Sequence, residues 1–200
     1  MYLRHHQHQQ GISLIVVLLI LVIVSLLGVA SIQISRMATQ TARNERDMQI
    51  AWQGAEAALL DAELDILGKP ITSATRRNEV FNNKETDVEK FVAGCGNTGK
   101  SKGLCSVPAT GAPAWQTVDF MATTNPHYVS FGEFTSRSFA TGTQGIQPAL
   151  PPRYIIELID DPNVEKTKAV QFRKYIYRIT AMGFGPNAKT QVVLQTIYRN

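Results

Sequence analysis

Residues 94–101 read GCGNTGKS, a full match to the G-x-x-x-x-G-K-[ST] pattern of a phosphate-cradling loop. That chemistry needs a buried strand before the loop and a helix after it, whose first backbone N–H groups hold the phosphates. Here the chain continues as KGLCSVPATGAP, which cannot start a helix of useful length. Glu157–Asp161 (ELIDD) is a poor substitute for the acidic strand that would hold magnesium. The pattern is read as a Gly-rich loop and not as a nucleotide site. Cys95 and Cys105 lie ten positions apart across it, a comfortable span for a disulfide in an oxidising compartment. Two thiols cannot complete a zinc site by themselves, and the spacing is not C-x-x-C, so a structural bridge is favoured over a reactive pair. His5, His6 and His8 have metal-ligand chemistry but sit in the polar stretch before an apolar segment, and His127 stands alone with no nucleophile pattern around it. The reading is therefore of a protein that is not an enzyme, with no cofactor and no metal.

The elements around these residues say more. The charge is +4 at pH 7; acids and bases balance up to residue 150, and the surplus lies in the last 50 residues. Between Arg4 and Arg36 there is no Asp, Glu, Lys or Arg, and Ile12–Ile32 (ISLIVVLLILVIVSLLGVASI) is apolar almost without a break. At ~1.5 Å per residue this makes a helix of about 31 Å, matching the ~30 Å hydrocarbon core of a bilayer. A cleaved secretory signal is the competing reading, with Gly28-Val29-Ala30 as a small-residue site before Ser31. A plain permanent anchor is another.

No breaker separates the apolar segment from the amphipathic stretch after it. Residues 36–67 contain no Pro and one Gly, and Met37, Ala38, Thr41, Ala42, Met48, Ala51, Ala55, Ala58, Leu59, Ala62 and Ile66 recur at steps of three and four. Arg43, Arg46, Asp47, Glu56, Asp61, Glu63 and Asp65 are assigned to the remaining surface, and Gly68-Lys69-Pro70 supplies the stop. The spacing predicts one helix from Ile12 to Leu67, apolar all round in its first half and amphipathic in its second. Beyond it, residues 80–93 read as a short helix. Strands are expected at 128–135, 153–159, 172–182 and 190–198, with 183–189 a hairpin loop and 140–152 a Gly/Pro-rich connection. The fold class expected is α+β, a long N-terminal helix packed on an antiparallel β-sheet.

Three stretches carry a family resemblance: HQQG followed by ISLIVVLL at residues 8–19, AWQGAEAAL at 51–59, and the closing segments YRITAMGFG and VVLQTIYR at 177–185 and 192–199. The first resembles a type IV prepilin, and the set resembles PilX-type minor pilins, whose helix carries a similar A-F-Q-A-A-E-x-A-L element. The resemblance implies cleavage by a prepilin peptidase after Gly11, with Ile12 as the new, N-methylated terminus. It also implies the pilin fold. Its departures are informative: Gln9 and Gln10 stand where most leaders carry Lys or Arg, and Val16 stands where most major pilins carry Glu. In a filament that Glu is thought to neutralise a neighbour's terminal amine within an apolar core, where an unpaired charge costs several kcal/mol. Val16 points to a rare subunit.

The organisation expected is a leader at 1–11, a membrane and assembly helix at 12–35, its amphipathic continuation at 36–69, and a periplasmic head at 70–200. The function implied is that of a minor pilin, a low-abundance subunit helping to initiate or cap a type IV pilus. It would reside in the inner membrane and then in the pilus at the cell surface, with other minor pilins and the major pilin as partners through the N-terminal helix. Two alternatives stay open. One is a binding module gripping DNA or a surface through Lys166, Lys168, Arg173, Lys174, Arg178, Lys189 and Arg199, although strand alternation splits these charges between faces. The other is a pseudopilin of a secretion system.

Overall fold

The structure, a computed structural model, describes residues 12–82, 86–108, 110–142, 146–162 and 175–199. The leader, including Gly11 and the three N-terminal histidines, lies outside the described residues. So do Lys166, Lys168, Arg173 and Lys174. Two compact units are present, one ending at Glu45 and the other running from Arg46. Helix α1, Ile12–Ile66, contributes to both.

In the first unit, α1 is apolar on every side as far as Ile32 and polar residues enter beyond it; each residue described from Ser13 to Glu45 is exposed. In the second unit, Ala51, Ala55, Ala58 and Ala62 are fully buried and Ile66 nearly so. Alanine suits this role twice, as the best helix former and as a side chain short enough to let a sheet approach. The helix stops in the way its sequence announces. Gly68 adopts φ +62°, its N–H donates to Asp65 O at 3.0 Å, and Lys69 N–H donates to Leu64 O at 2.8 Å. These two bonds close the left-handed cap that satisfies the last carbonyls.

The sheet comprises β1 (Leu104–Ser106), β2 (Val129–Ser130), β3 (Arg153–Asp160), β4 (Tyr175–Phe184) and β5 (Gln191–Tyr198). A four-residue helix, α2, spans Ala114–Thr117. The order is β1-β3-β4-β5, with β2 also pairing with β3. β3, β4 and β5 are antiparallel, with Ile156 opposite Ile179 and Ala181 opposite Leu194. Because β1 runs parallel to β3, the sheet is mixed. One face meets α1: Ala58, Ala62 and Ile66 pack with Tyr154, Ile156, Tyr177, Ile179 and Ala181. The other face is covered by a layer of loops, where Ile155 packs with Cys95, Cys105, Ala114, Phe120 and Tyr128.

Three expectations are corrected. Of residues 128–135, only Val129–Ser130 form a strand, and 131–135 turn away because the turn's backbone and Thr135 bond to a helix carboxylate instead of to a neighbouring strand. Among the described residues of 80–93 there is one 3₁₀ turn, Val88–Lys90, while Phe81 bridges to Thr86 and Val92 to Cys105. Asp61 and Asp65, assigned by sequence to the outer surface of the helix, are buried, whereas Met48, assigned to the apolar face, is exposed.

Where β4 crosses α1, Gly183 sets the separation. A Cβ at Gly183 would overlap the Ala51 carbonyl oxygen and the Ala55 amide nitrogen; one at Gly54 would rest 3.6 Å from Gly183 Cα, ordinary contact. Gly183→Ala should therefore lower stability by roughly 1–3 kcal/mol. Gly54→Ala should be neutral or gain up to about 1 kcal/mol in helix propensity. Denaturant unfolding of the detergent-solubilised chain, followed by near-UV circular dichroism, distinguishes them. Equal losses would contradict the close-approach account.

Candidate functional site: the apolar helix and the clasp that holds the head

The first half of α1 has no internal partner among the described residues. Leu14 is 72% exposed and Ile34 70%, and this is the one described helix long and apolar enough to cross a membrane. Two of its hydroxyls bond back to the helix: Ser25 Oγ donates to Leu21 O at 2.7 Å and Ser31 Oγ to Leu27 O at 2.9 Å. That is what hydroxyls in hydrocarbon require. Ile12 is the first residue of the helix. Val16, one turn in, is half exposed and offers no carboxylate.

The second half of α1 holds the head through two aspartates one turn apart. Asp65 receives Arg77 Nε at 3.0 Å on both oxygens, Arg77 Nη2 at 2.6 Å and the Tyr154 hydroxyl at 2.9 Å. Both side chains of the ion pair are fully buried. Arg77 Nη1 donates to the carbonyls of Lys102 at 2.6 Å and Lys100 at 3.1 Å. Its guanidinium lies 3.9 Å from the Phe134 ring centroid. One arginine thus ties α1 to the disulfide loop and to the turn before it. Removing one member of such a pair typically costs about 3–5 kcal/mol, since the other charge stays buried. Burial, and then the Asp65 charge, push the Tyr154 hydroxyl well above its ordinary range, so it remains a donor.

Asp61 holds the 131–137 turn. Gly132 N–H donates to its Oδ2 at 2.7 Å, Thr135 Oγ1 to its Oδ1 at 2.5 Å, and Arg137 lies 3.5 Å away. Burial raises its pKa above the ordinary 3.8; the Gly132 and Thr135 bonds and the Arg137 charge oppose that rise, and Asp65 adds to it. On the far face of the sheet, buried Glu157 takes Arg178 in a two-point bond at 2.8 and 2.9 Å and also receives Ala114 N–H at 3.0 Å.

The other residues singled out by sequence fall into place. Cys95 and Cys105 form a disulfide and are buried. At the start of this segment two amides bond to protein carbonyls, Cys95 N–H to Val92 O and Gly96 N–H to Leu104 O. Gly99–Ser101 make a single 3₁₀ turn, and Lys100 pairs with Glu79. The candidate magnesium carboxylate, Glu157, is engaged by Arg178. This loop is no phosphate cradle. His127 Nδ1 hydrogen-bonds the Cys95 carbonyl. Of the basic residues, Arg178 is committed to Glu157 and Arg199 to Asp161, while Lys189 is exposed. Among the described residues, no group of three His, Cys, Asp or Glu is disposed to hold a metal. The clasp itself escaped sequence reasoning, and its one signal was the Asp61/Asp65 spacing beside Ala58 and Ala62.

The family model for the C-terminal region of type IV pilus assembly protein PilX matches residues 38–200, and the PilX N-terminal model matches residues 10–60. The chain belongs to the PilX family. No curated protein and no solved structure matches it. The two models together cover the apolar helix, the clasp and the sheet, so the PilX assignment rests on the whole architecture and not on the leader region alone. It makes the protein a component of type IV pilus assembly, and the apolar helix fits anchoring in a membrane and in the pilus.

The clasp predicts a sign for pH dependence. A carboxyl with a raised folded-state pKa contributes stability that is complete below its unfolded value and is lost as pH rises through the folded one. Between pH 7 and pH 4 the stability of the wild type relative to Asp61→Asn should therefore move in favour of the wild type as pH falls. Thermal unfolding of both proteins across that range checks it. A Tm difference moving the other way would show that the hydrogen bonds to Asp61 outweigh its desolvation.

Proposed function

We propose that this PilX-family chain is a minor pilin, a low-abundance structural subunit that helps to initiate or cap a type IV pilus. The observation that carries the reading is an apolar helix exposed on every side that lacks a carboxylate at Val16, in a chain matched over residues 10–200 by the PilX models. The leader at 1–11 is removed by prepilin peptidase after Gly11, leaving Ile12 as a methylated amino terminus. Residues 12–35 hold the protein in the inner membrane and later in the filament, 36–69 continue that helix, and the head from residue 70 lies in the periplasm. Its partners are other minor pilins and the major pilin, met through α1. The role is structural and not catalytic.

Val16 gives the role a direction. In the apolar interior of a filament, a buried and unpaired amine costs several kcal/mol. This subunit leaves a preceding neighbour's amine unpaired, while its own amine at Ile12 is available to an incoming subunit that carries an acid. It suits an early or tip-side position and not indefinite polymerisation.

Maturation and assembly each supply a test. Gly11→Val should block maturation, and sequencing of the mature amino terminus should return Ile12 for the wild type. Processing of Gly11→Val at the wild-type rate would remove the prepilin reading, and a terminus at Ser31 would replace it with a secretory signal. Deleting the protein should reduce the number of pili per cell, expressing it alone should give no filament, and quantitative mass spectrometry should find it far below the major subunit in purified pili. Its recovery as the bulk subunit would overturn the assignment.

A further inference from the structure

The two edges of the sheet are finished differently. Beyond β1 the chain covers its own edge: Val92 N–H donates to Leu104 O at 3.4 Å, Ser106 N–H to Val92 O at 3.0 Å and Gly96 N–H to Leu104 O at 3.1 Å. β5 ends the sheet on the other side, and among the described residues no strand or bridge pairs with its outer edge. The hairpin fixes which groups are left over. Gly185 N–H donates to Thr190 O at 2.8 Å, and hydrogen-bonded positions recur at every second residue of an antiparallel ladder. Val192, Leu194, Thr196 and Tyr198 therefore turn their backbone toward β4, while Gln191, Val193, Gln195 and Ile197 turn theirs outward.

Natural sheets blunt an open edge with charge, proline or a bulge. Gln191–Tyr198 contains no charged residue, proline or glycine, and its register with β4 is unbroken. Val193 is 47% exposed and Ile197 55%, on the face turned away from α1, and between them Gln195 Nε2 donates to Thr180 Oγ1 at 2.9 Å. The strand is also nearly symmetric about Gln195, with Val193 two positions before it and Ile197 two positions after. Cations stand only outside the strand, at Lys189 and Arg199.

That symmetry names the occupant. With Gln195 set antiparallel against Gln195 of a second copy, each Val193 faces an Ile197 and each Gln191 an Arg199. About six outward main-chain hydrogen bonds close at the three central pairs. A slip of two residues one way brings Lys189 opposite Arg199, and a slip the other way brings Val193 opposite Arg199. The centred register avoids both.

We propose that β5 is a self-pairing edge, through which the heads of two copies join antiparallel about Gln195 into one continuous sheet. The contact is two-fold, so it closes after two copies and adds no polymer. Two eight-residue strands make an interface at the small end of the specific range, so the pairing is concentration-dependent.

The test uses the detergent-solubilised full chain. Sedimentation should show a monomer–dimer equilibrium that shifts with protein concentration. Oxidation of Gln195→Cys should give a disulfide-linked dimer, because residues opposite each other at a hydrogen-bonded position lie about 5.5 Å apart, within disulfide reach. Gln191→Cys, which faces residue 199 of the second copy, should link at least ten-fold less. Val193→Lys combined with Ile197→Lys sets cations opposite one another and should leave monomer only. An intact Cys95–Cys105 disulfide and unchanged near-UV circular dichroism report that the head is folded. If the lysine variant fails that check, Gln195→Pro removes one outward N–H without touching the β4 ladder and should weaken the dimer in its place. A chain that stays monomeric at about 100 μM would overturn the proposal. So would a dimer indifferent to the edge substitutions, which would place the contact on α1, or linkage at residue 191 equal to that at 195.

Discussion

The head depends on a buried arginine. Arg77 is fully enclosed, and its charge is tolerable only because Asp65 meets it with two oxygens, two loop carbonyls take its remaining donors, and Phe134 covers its plane. Each contact comes from a different part of the chain, so the charge cannot be satisfied until helix, turn and disulfide loop are all in place. A buried ion pair adds little net stability compared with a well-packed apolar group, but a broken one is costly. Such a node penalises every alternative arrangement of the head more than it rewards the native one. Tyr154 extends the node into the sheet, and Asp61, one turn earlier, repeats its logic with the 131–137 turn.

Around this node the helix divides its surface by side-chain size. Toward the sheet it offers alanines and Gly54, so that Gly183 on β4 meets helix backbone directly. Away from the sheet it offers Trp52, Leu60 and acids. Close approach on one side is secured by small residues, while the large side chains stay on the other. The apolar first half belongs to a different solvent. Ser25 and Ser31 bond back to their own helix, as hydroxyls in a segment without water must arrange. Membership of the PilX family joins these two parts into one protein of pilus assembly.

The resemblance to a nucleotide-binding loop illustrates how little a short pattern means without its supports. Residues 94–101 supply every residue type required, yet a phosphate needs backbone amides that point outward. Here a single 3₁₀ turn at Gly99–Ser101 leads straight into β1, so no helix N-terminus follows the loop to hold a phosphate. Lys100 and Glu157, the charges that chemistry would use, are each engaged elsewhere in the head.

What the sequence determined by itself was whatever depends on local periodicity. The unbroken run from Ile12, the alanine ladder at 51–62, the Gly68 stop, the apolar β-branched and aromatic runs of β3 and β4 and the alternation in β5 are each readable from near neighbours, and the structure follows them. The Cys95–Cys105 bridge was legible for the same reason, since its two ends lie close along the chain. Tertiary structure alone decided the rest. Residues 128–135 alternate like a strand, but Asp61 takes the Gly132 amide and the Thr135 hydroxyl and makes most of them a turn. Asp61 and Asp65 look like solvent-facing acids until Arg77, Tyr154, Thr135 and the Gly132 amide arrive from distant positions to satisfy them. Burial of a charge is a property of the partners that surround it, and those partners are assembled only by the fold.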